Sequence, residues 1–321
     1  MNFLFKQKKQ LKQRVFLHIG THKTGTTALQ YFLYHNKDRL YTKRFHYPHI
    51  GWYHYAQHLL AFHLKEHNKL YDPSIWQELV DDIKKQPKKD IIISSEELFT
   101  ISPKSIKLIA EYLADYEVHI VIYLRRQDQL FESIYNQQVK EWKSPRKEKI
   151  QLFLKKPEKI FPKFNYYYHL NVWIKNIPNA KFHVKIYEKD RLKNANIIDD
   201  FLEVLELKSN IFDHTSVILN DSLSPKALEI VRLSKHVISD ITIREKIFHK
   251  AREVFPNSHK TVLLNNKERK NIMAKFKQSN QKLKEQFFSS EACLFSEIED
   301  TEFVVENLNR QDLIKFIGEI I

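Results

Sequence analysis

Two of the four glycines in the 321-residue chain, Gly20 and Gly25, lie five residues apart in the run Gly20-Thr-His-Lys-Thr-Gly-Thr-Thr27. Ordinary usage of about 7% would give roughly twenty glycines, so this pair stands out. Gly-x-x-x-x-Gly between a strand and a helix lets backbone N–H groups turn inward around a phosphate at the helix N-terminus. A tight turn with a threonine cap is the plainer use of such residues. The strand before, the helix after, Lys23 and the threonines together favour the phosphate. A triphosphate-binding loop would read Gly-x-x-x-x-Gly-Lys-Ser/Thr. Here Thr26 follows Gly25, and the lysine lies inside the loop at Lys23. That displacement disfavours magnesium-dependent turnover of ATP or GTP, as does a second strand that runs into Ser94, Ser95, Glu96 and Glu97 rather than an aspartate.

Other side chains could serve the same chemistry. Arg125 ends a strongly apolar run and precedes Ser133 by eight residues. A guanidinium offers planar, multi-donor contact to a second phosphate, and a serine on the following helix adds a hydroxyl. Arg126 is a rival or helper. His22 lies inside the loop and can touch a bound nucleotide, whereas His18, on the strand before it, reads as structural. His54 and His58 are four apart, which on a helix would place them on one face. That spacing could also suit zinc, but no HExxH pattern, cysteine or acidic cluster completes a site, and no metal is expected.

The elements that must position these groups follow from periodicity. Arg14–Ile19, Asp90–Ser94, Val118–Leu124 and Lys181–Tyr187 read as strands. Helices are expected over 26–35, 54–67, 103–115, 128–142 and 166–176, and beyond 197 notably over 224–239, 243–254 and 266–288. Strands separated by helices imply parallel pairing through crossover connections. The expected fold is therefore α/β: a three-layer, P-loop-like sandwich with a central, mainly parallel sheet and a helix-rich C-terminal half. Ligands of such sheets bind at the carboxyl ends of the strands, here Gly20, Ser95-Glu96 and Arg125.

VFLHIGTHKTGTTALQ resembles the 5′-phosphosulfate loop of sulfotransferases that use the donor PAPS (3′-phosphoadenosine-5′-phosphosulfate). The Arg125/Ser133 spacing in YLRRQDQLFESIYNQQVK resembles the 3′-phosphate motif of that family. The resemblance implies that Lys23 neutralises the oxygen bridging sulfur and phosphorus, and that Thr24, Gly25, Thr26 and Thr27 hold the 5′-phosphate. It implies a catalytic base at the end of the strand in IIISSEELF, with Glu96 first and Glu97 the alternate. The plainer role for either acid is support of a helix N-terminus after Ser95. VKIYEKDRL, DDFLEVLEL and SNQKLKEQF resemble segments of bacterial carbohydrate sulfotransferases, and the likeness spans roughly residues 14 to 290. The Arg-Lys-Gly element of steroid and phenol sulfotransferases is not recognisable, and Lys267-Glu-Arg-Lys270 is too helical in character to stand for it. The resemblance therefore implies sulfuryl transfer to a hydroxyl, with a glycan as acceptor.

Net charge is +14, from 53 Lys and Arg against 39 Asp and Glu. Such a field gathers anions, so a P-loop kinase or nucleotide hydrolase and a non-enzymatic polyanion or membrane-surface binder are the rival readings. The lysines are scattered and no DNA- or RNA-binding motif appears, so nucleic acid is not an expected partner. One cysteine, Cys293, precludes an internal disulfide framework. The opening MNFLFKQKKQLK lacks the apolar run of a signal peptide, and no later stretch reads as a membrane span. The expectation is a cytoplasmic protein, with peripheral contact to an anionic inner membrane face left open. No linker-like tract divides the chain, so one domain is expected over 1–321, with a basic tail at 1–13 and an exposed excursion at 144–163.

Overall fold

The computed structural model describes residues 12–141, 143–144, 146–155, 161–213, 223–257, 261–298, 304–305 and 307–319. Most of the expected basic tail, and part of the expected excursion, lie outside the described residues. The elements run β1 (Arg14–His18), α1 (Thr26–His35), α2 (Lys37–Thr42), β2 (Phe45–His46), α3 (His58–Phe62), α4 (Ile75–Lys84), β3 (Asp90–Ser94), α5 (Pro103–Tyr112) and β4 (Glu117–Leu124). After these come α6 (Gln127–Lys140), α7 (Ile150–Leu154), α8 (Tyr166–Asn176), β5 (Lys181–Ile186), α9 (Ile197–Val204), α10 (Pro225–Val237) and α11 (Ile241–Val254). The chain ends with β6 (Thr261–Val262), α12 (Asn266–Phe287), β7 (Val304–Val305) and α13 (Arg310–Gly318). Residues group into two compact units: one of 1–124 with 168–217, the other of 125–167 with 218–321.

The first unit holds a five-stranded sheet in the order β2-β3-β1-β4-β5, parallel throughout. Its α/β class is the one expected. β1 is central, with Val15, Phe16, Leu17 and His18 fully buried and Ile19, just past its end, buried as well. The chain fills one side of β1 with β3 and β2, then crosses to β4 and β5. The sheet's topological switch, and hence its natural ligand crevice, is therefore beside the end of β1. Phe16, Leu29, Phe32, Leu33, Val121, Tyr123 and Phe201 build a core over this sheet that clamps α1 and α9. Burying an aromatic or leucine of this kind contributes about 1.5–3 kcal/mol.

One local expectation changes. The helix expected over 54–67 is confined to α3, because His54 adopts φ 58° and Tyr53 N–H donates to Ala56 O in a tight turn. His54 and His58 therefore do not share a helical face. The stretch 144–163 carries α7, whose Ile150 and Phe153 are buried, with the Arg146 guanidinium over the Phe153 ring. Around these two anchors Lys147, Lys149, Gln151, Leu152, Lys155 and Lys163 are exposed.

The second unit is helical around a buried ionic cluster. Arg126 and Arg269 both bond Asp128, which has no exposed surface, and Arg269 also pairs with Glu132. Glu132 accepts backbone N–H bonds from Leu263 and Leu264, which fixes the approach to α12. Lys235, on α10, donates to the carbonyls of Gln138, Glu141 and Ser144, so an ammonium group closes the C-terminus of α6. No helix among the described residues is long and apolar enough to cross a membrane.

Candidate functional site

β1 stops where its backbone turns under β4. Tyr123 N–H donates to Gly20 O, while the N–H and hydroxyl of Thr21 both donate to Tyr123 O. Gly20 has φ 104°, and a Cβ there would lie 2.8 Å from Glu96 Cβ. Only glycine lets the loop pass this close to the end of β3. Thr24 is buried and folds its hydroxyl back onto Thr21 O at 2.6 Å. Lys23, half-buried, sits at φ 65°, and Gly25 at φ 76° opens α1. A Cβ on Gly25 would meet Tyr187 Oη at 3.0 Å.

α1 begins without a side-chain cap and with no acidic residue in its first turn. Ala28 N–H bonds Gly25 O, and the end of the helix that opens the loop is the one whose dipole favours negative charge. Thr26 is buried and Thr27 exposed. The geometry is that of an anion cradle: two glycines and a lysine at positive φ between a buried strand and an uncapped helix.

Glu96 stands beside this cradle, immediately after β3. Its side chain is only 14% exposed, and both carboxylate oxygens are occupied. Thr26 Oγ1 donates to Oε1 at 3.1 Å and Gln30 Nε2 to Oε2 at 2.6 Å. Thr26 and Gln30 are one helical turn apart on α1, so one face of that helix grips the acid. Burial pushes the Glu96 carboxyl up. The charge of His58, the Gln30 hydrogen bond and the charge of His22 outweigh it and hold the group below the ordinary carboxylate range. His58 Nδ1 lies 2.9 Å from Ser95 Oγ and 3.9 Å from Glu96 Oε2. Glu97 is engaged elsewhere, paired with Lys65 at 2.6 Å and 3.7 Å from His22 Nε2.

The first unit therefore brings His22, Lys23, Thr24, Gly25, Thr26, Thr27 and Glu96 together, with His58 beside them. Gln30 joins them without having been singled out from sequence. The one available signal was its position four residues after Thr26. His54 stands apart, exposed on its turn. His18 is fully buried, with Nδ1 on Ser94 Oγ, and burial lowers its pKa to about 4. Among the described residues, no group of three His, Cys, Asp or Glu is placed to hold a metal.

Arg125 and Ser133 belong to the second unit. Arg125 directly follows β4, its carbonyl accepts from the Tyr166 hydroxyl, and its Nε lies 3.5 Å from Gln129 Oε1. Ser133 is half-buried within α6. Arg126, the rival for the same role, is committed to Asp128 and to the carbonyls of Ser296 and Glu297.

No protein-family model matches the chain. An uncharacterised protein of Archaeoglobus fulgidus is 29% identical over 217 residues, which cover 66% of this chain and 58% of that protein. The chain thus spans less than two thirds of the relative it matches. Among solved structures, a sulfotransferase from Alicyclobacillus acidocaldarius overlaps 72% of this chain and 98% of its own, at 13% identity and a TM-score of 0.41. A mouse sulfotransferase, SULT7A1 complexed with PAP, overlaps 96% of this chain and 84% of its own, at 14% identity and a TM-score of 0.32. The Streptococcus pneumoniae PezAT toxin-antitoxin system overlaps 75% of this chain and 87% of its own, at 15% identity and a TM-score of 0.29.

Proposed function

We propose that the protein transfers the sulfuryl group of PAPS to a hydroxyl of a glycan. The observation that carries this reading is the cradle Gly20–Thr27 with Glu96 bound to its first helical turn. A triphosphate loop places its lysine after the second glycine. Here Lys23 lies inside the loop, where a charge can meet a leaving phosphate oxygen.

In this reading the bond from sulfur to the bridging phosphate oxygen breaks as the bond from sulfur to the acceptor oxygen forms. Lys23 stabilises the negative charge that collects on the bridging oxygen. The amides and hydroxyls of Thr24 to Thr27 hold the 5′-phosphate, with His22 at the loop's edge. Glu96, already ionised, takes the acceptor's proton. Arg125 with Ser133 supplies contacts to the 3′-phosphate. The chain's work is positioning and charge stabilisation, with no covalent enzyme intermediate.

Calorimetric titration with adenosine 3′,5′-bisphosphate tests the nucleotide site. Saturable binding is expected, weakened about tenfold or more by Lys23→Ala and by Arg125→Ala, since each charged contact to phosphate is worth about 1.5–3 kcal/mol. No binding by the wild-type protein would overturn the assignment. Magnesium-dependent ATP turnover indifferent to Lys23→Ala would instead favour a kinase or hydrolase.

A further inference from the structure

Phe45 to Leu64 reads FHYPHIGWYHYAQHLLAFHL, without one Asp, Glu, Lys or Arg, in a chain where those residues make up 29%. Twenty residues at that frequency would carry about six charges. Burial explains only part of the run: Phe45, Tyr47, Ala56, Leu60, Ala61 and Leu64 are in the core. Tyr53 and Tyr55 are 53% and 38% exposed, and His49 and His54 are exposed too. α1 extends this surface with Tyr31 and the exposed His35. The Tyr31 ring lies 4.0 Å from His35 and 5.1 Å from Tyr55.

The surface is braced. The Tyr53–Ala56 turn is closed by a backbone bond, and the Tyr47 hydroxyl donates to Tyr55 O at 2.8 Å. Gln57 exchanges bonds with Ser94 through its backbone N–H and its side-chain oxygen, and its amide nitrogen donates to Pro48 O. A non-glycine residue, His54, is held in the left-handed region with its side chain in solvent. Strain of that kind persists where surrounding structure enforces it, and it concentrates at functional positions. The same segment reaches Glu96. Gln57 is tied to the last residue of β3, His58 lies 3.9 Å from the carboxylate, and Tyr31 adjoins Gln30.

A rigid, exposed, aromatic surface without formal charge is neither a solvated face nor core. Its own residues include no Asp, Glu, Lys or Arg, and Lys37, whose Nζ lies 5.0 Å from the Tyr34 ring, stands at its margin. The surface suits a ligand with an apolar face and a polar edge: aromatic rings take the C–H face, and imidazoles and phenol hydroxyls take the hydroxyl rim. We propose that the shelf formed by Tyr31, His35, His49, Tyr53, His54 and Tyr55 binds an uncharged pyranose of the acceptor and directs a sugar hydroxyl toward Glu96. This deepens the sulfuryl-transfer reading and rests on it. An acidic glycan and a planar phenol are the competing occupants.

The test uses the full chain with and without adenosine 3′,5′-bisphosphate, followed by saturation-transfer NMR and calorimetry. Cellohexaose, maltohexaose and chitohexaose are the neutral probes, heparin the polyanion and 2-naphthol the phenol. At least one neutral hexaose is expected to bind saturably, with affinity changing less than about twofold between roughly 50 and 300 mM salt, since no ion pair is made. The double variant Tyr53→Ala/Tyr55→Ala should weaken that binding about tenfold or more while bisphosphate affinity stays within about twofold, which also reports an intact fold. The shelf is overturned if no neutral hexaose binds, if binding survives the double variant, or if only heparin or 2-naphthol binds. Loss of bisphosphate binding in the wild-type protein would sink the parent reading instead, and the nucleotide-free titrations would still decide the shelf.

Discussion

Gln30 and Thr26 act on Glu96 from the same face of α1, and each is a separate handle on its basicity. Gln30→Leu removes the shorter of the two hydrogen bonds. Without that donor the carboxyl pKa rises, so the acidic limb of the kcat/KM–pH profile of the proposed transfer should move upward. Bisphosphate affinity should stay within about threefold, because Gln30 itself is not assigned to the nucleotide. A profile that does not move would show that Glu96 is not the titrating base. Gly20 is the other sharp position. Gly20→Ala forces a Cβ into Glu96 at φ 104°, with an expected loss of at least about 2 kcal/mol in urea denaturation and near-complete loss of transfer. The loop was legible because glycine and lysine spacing announces itself. Gln30 was not, because a glutamine inside a helix belongs to no motif until the residue it touches is known.

At the scale of elements, the four expected strands appear nearly residue for residue, because long β-branched and aromatic runs have few alternatives. β2, two residues inside an aromatic segment, has too little periodicity to read. The expected 54–67 helix failed through one local conformation: His54 at positive φ shows only in the backbone, while Leu59, Leu60 and Leu64 keep helical spacing regardless. In the second unit, α6 and α12 are joined by charges that sequence could not pair. Arg269 bonds both Asp128 and Glu132, and burial pushes the Glu132 carboxyl up against the opposing pull of Arg269. Arg269→Leu leaves the buried Glu132 without its guanidinium and Asp128 with Arg126 alone, so a loss of about 3–5 kcal/mol is expected by urea denaturation. Arg126→Ala should likewise act through stability, whereas Arg125→Ala should act on nucleotide affinity. Reversal of that pattern would reassign the phosphate contact.

For the whole molecule, two histidines of the first unit set an acid limit. His18 is lowered to about 4 by burial, and its Nε2 has no hydrogen-bond partner among the described residues. His183 is lowered to about 4 by burial first and then by the charges of His119, Lys185 and Lys181. Between about pH 6.5 and 4 the unfolded chain binds protons at these sites and the folded chain does not. Stability therefore falls as pH drops through that window and is unaffected by these sites above it. His18 alone, shifted from 6.5 to about 4, accounts for a loss on the order of 3 kcal/mol by the bottom of the window. His18→Asn, which keeps a partner for Ser94, should flatten the fall of Tm between pH 6.5 and 4. An unchanged slope would assign the acid sensitivity to other groups. The sheet and its class were readable from patterning. The division into two compact units was not, because no linker-like composition marks 124–125 or 167–168.

Thr26 has one hydroxyl proton, and it is donated to Glu96. In the proposed reaction a 5′-phosphate arriving in the cradle competes for it. When the hydroxyl turns to the phosphate, one carboxylate oxygen is released just as a new negative charge makes that carboxylate more basic. In that reading the pair is an interlock: Thr26 holds the carboxylate until the donor's phosphate draws the hydroxyl away. Either ligand can then bind first, but a bound donor is the condition for proton abstraction. Thr26→Val removes the hydroxyl that donates to Glu96 and should move the acidic limb of the pH profile in the same direction as Gln30→Leu.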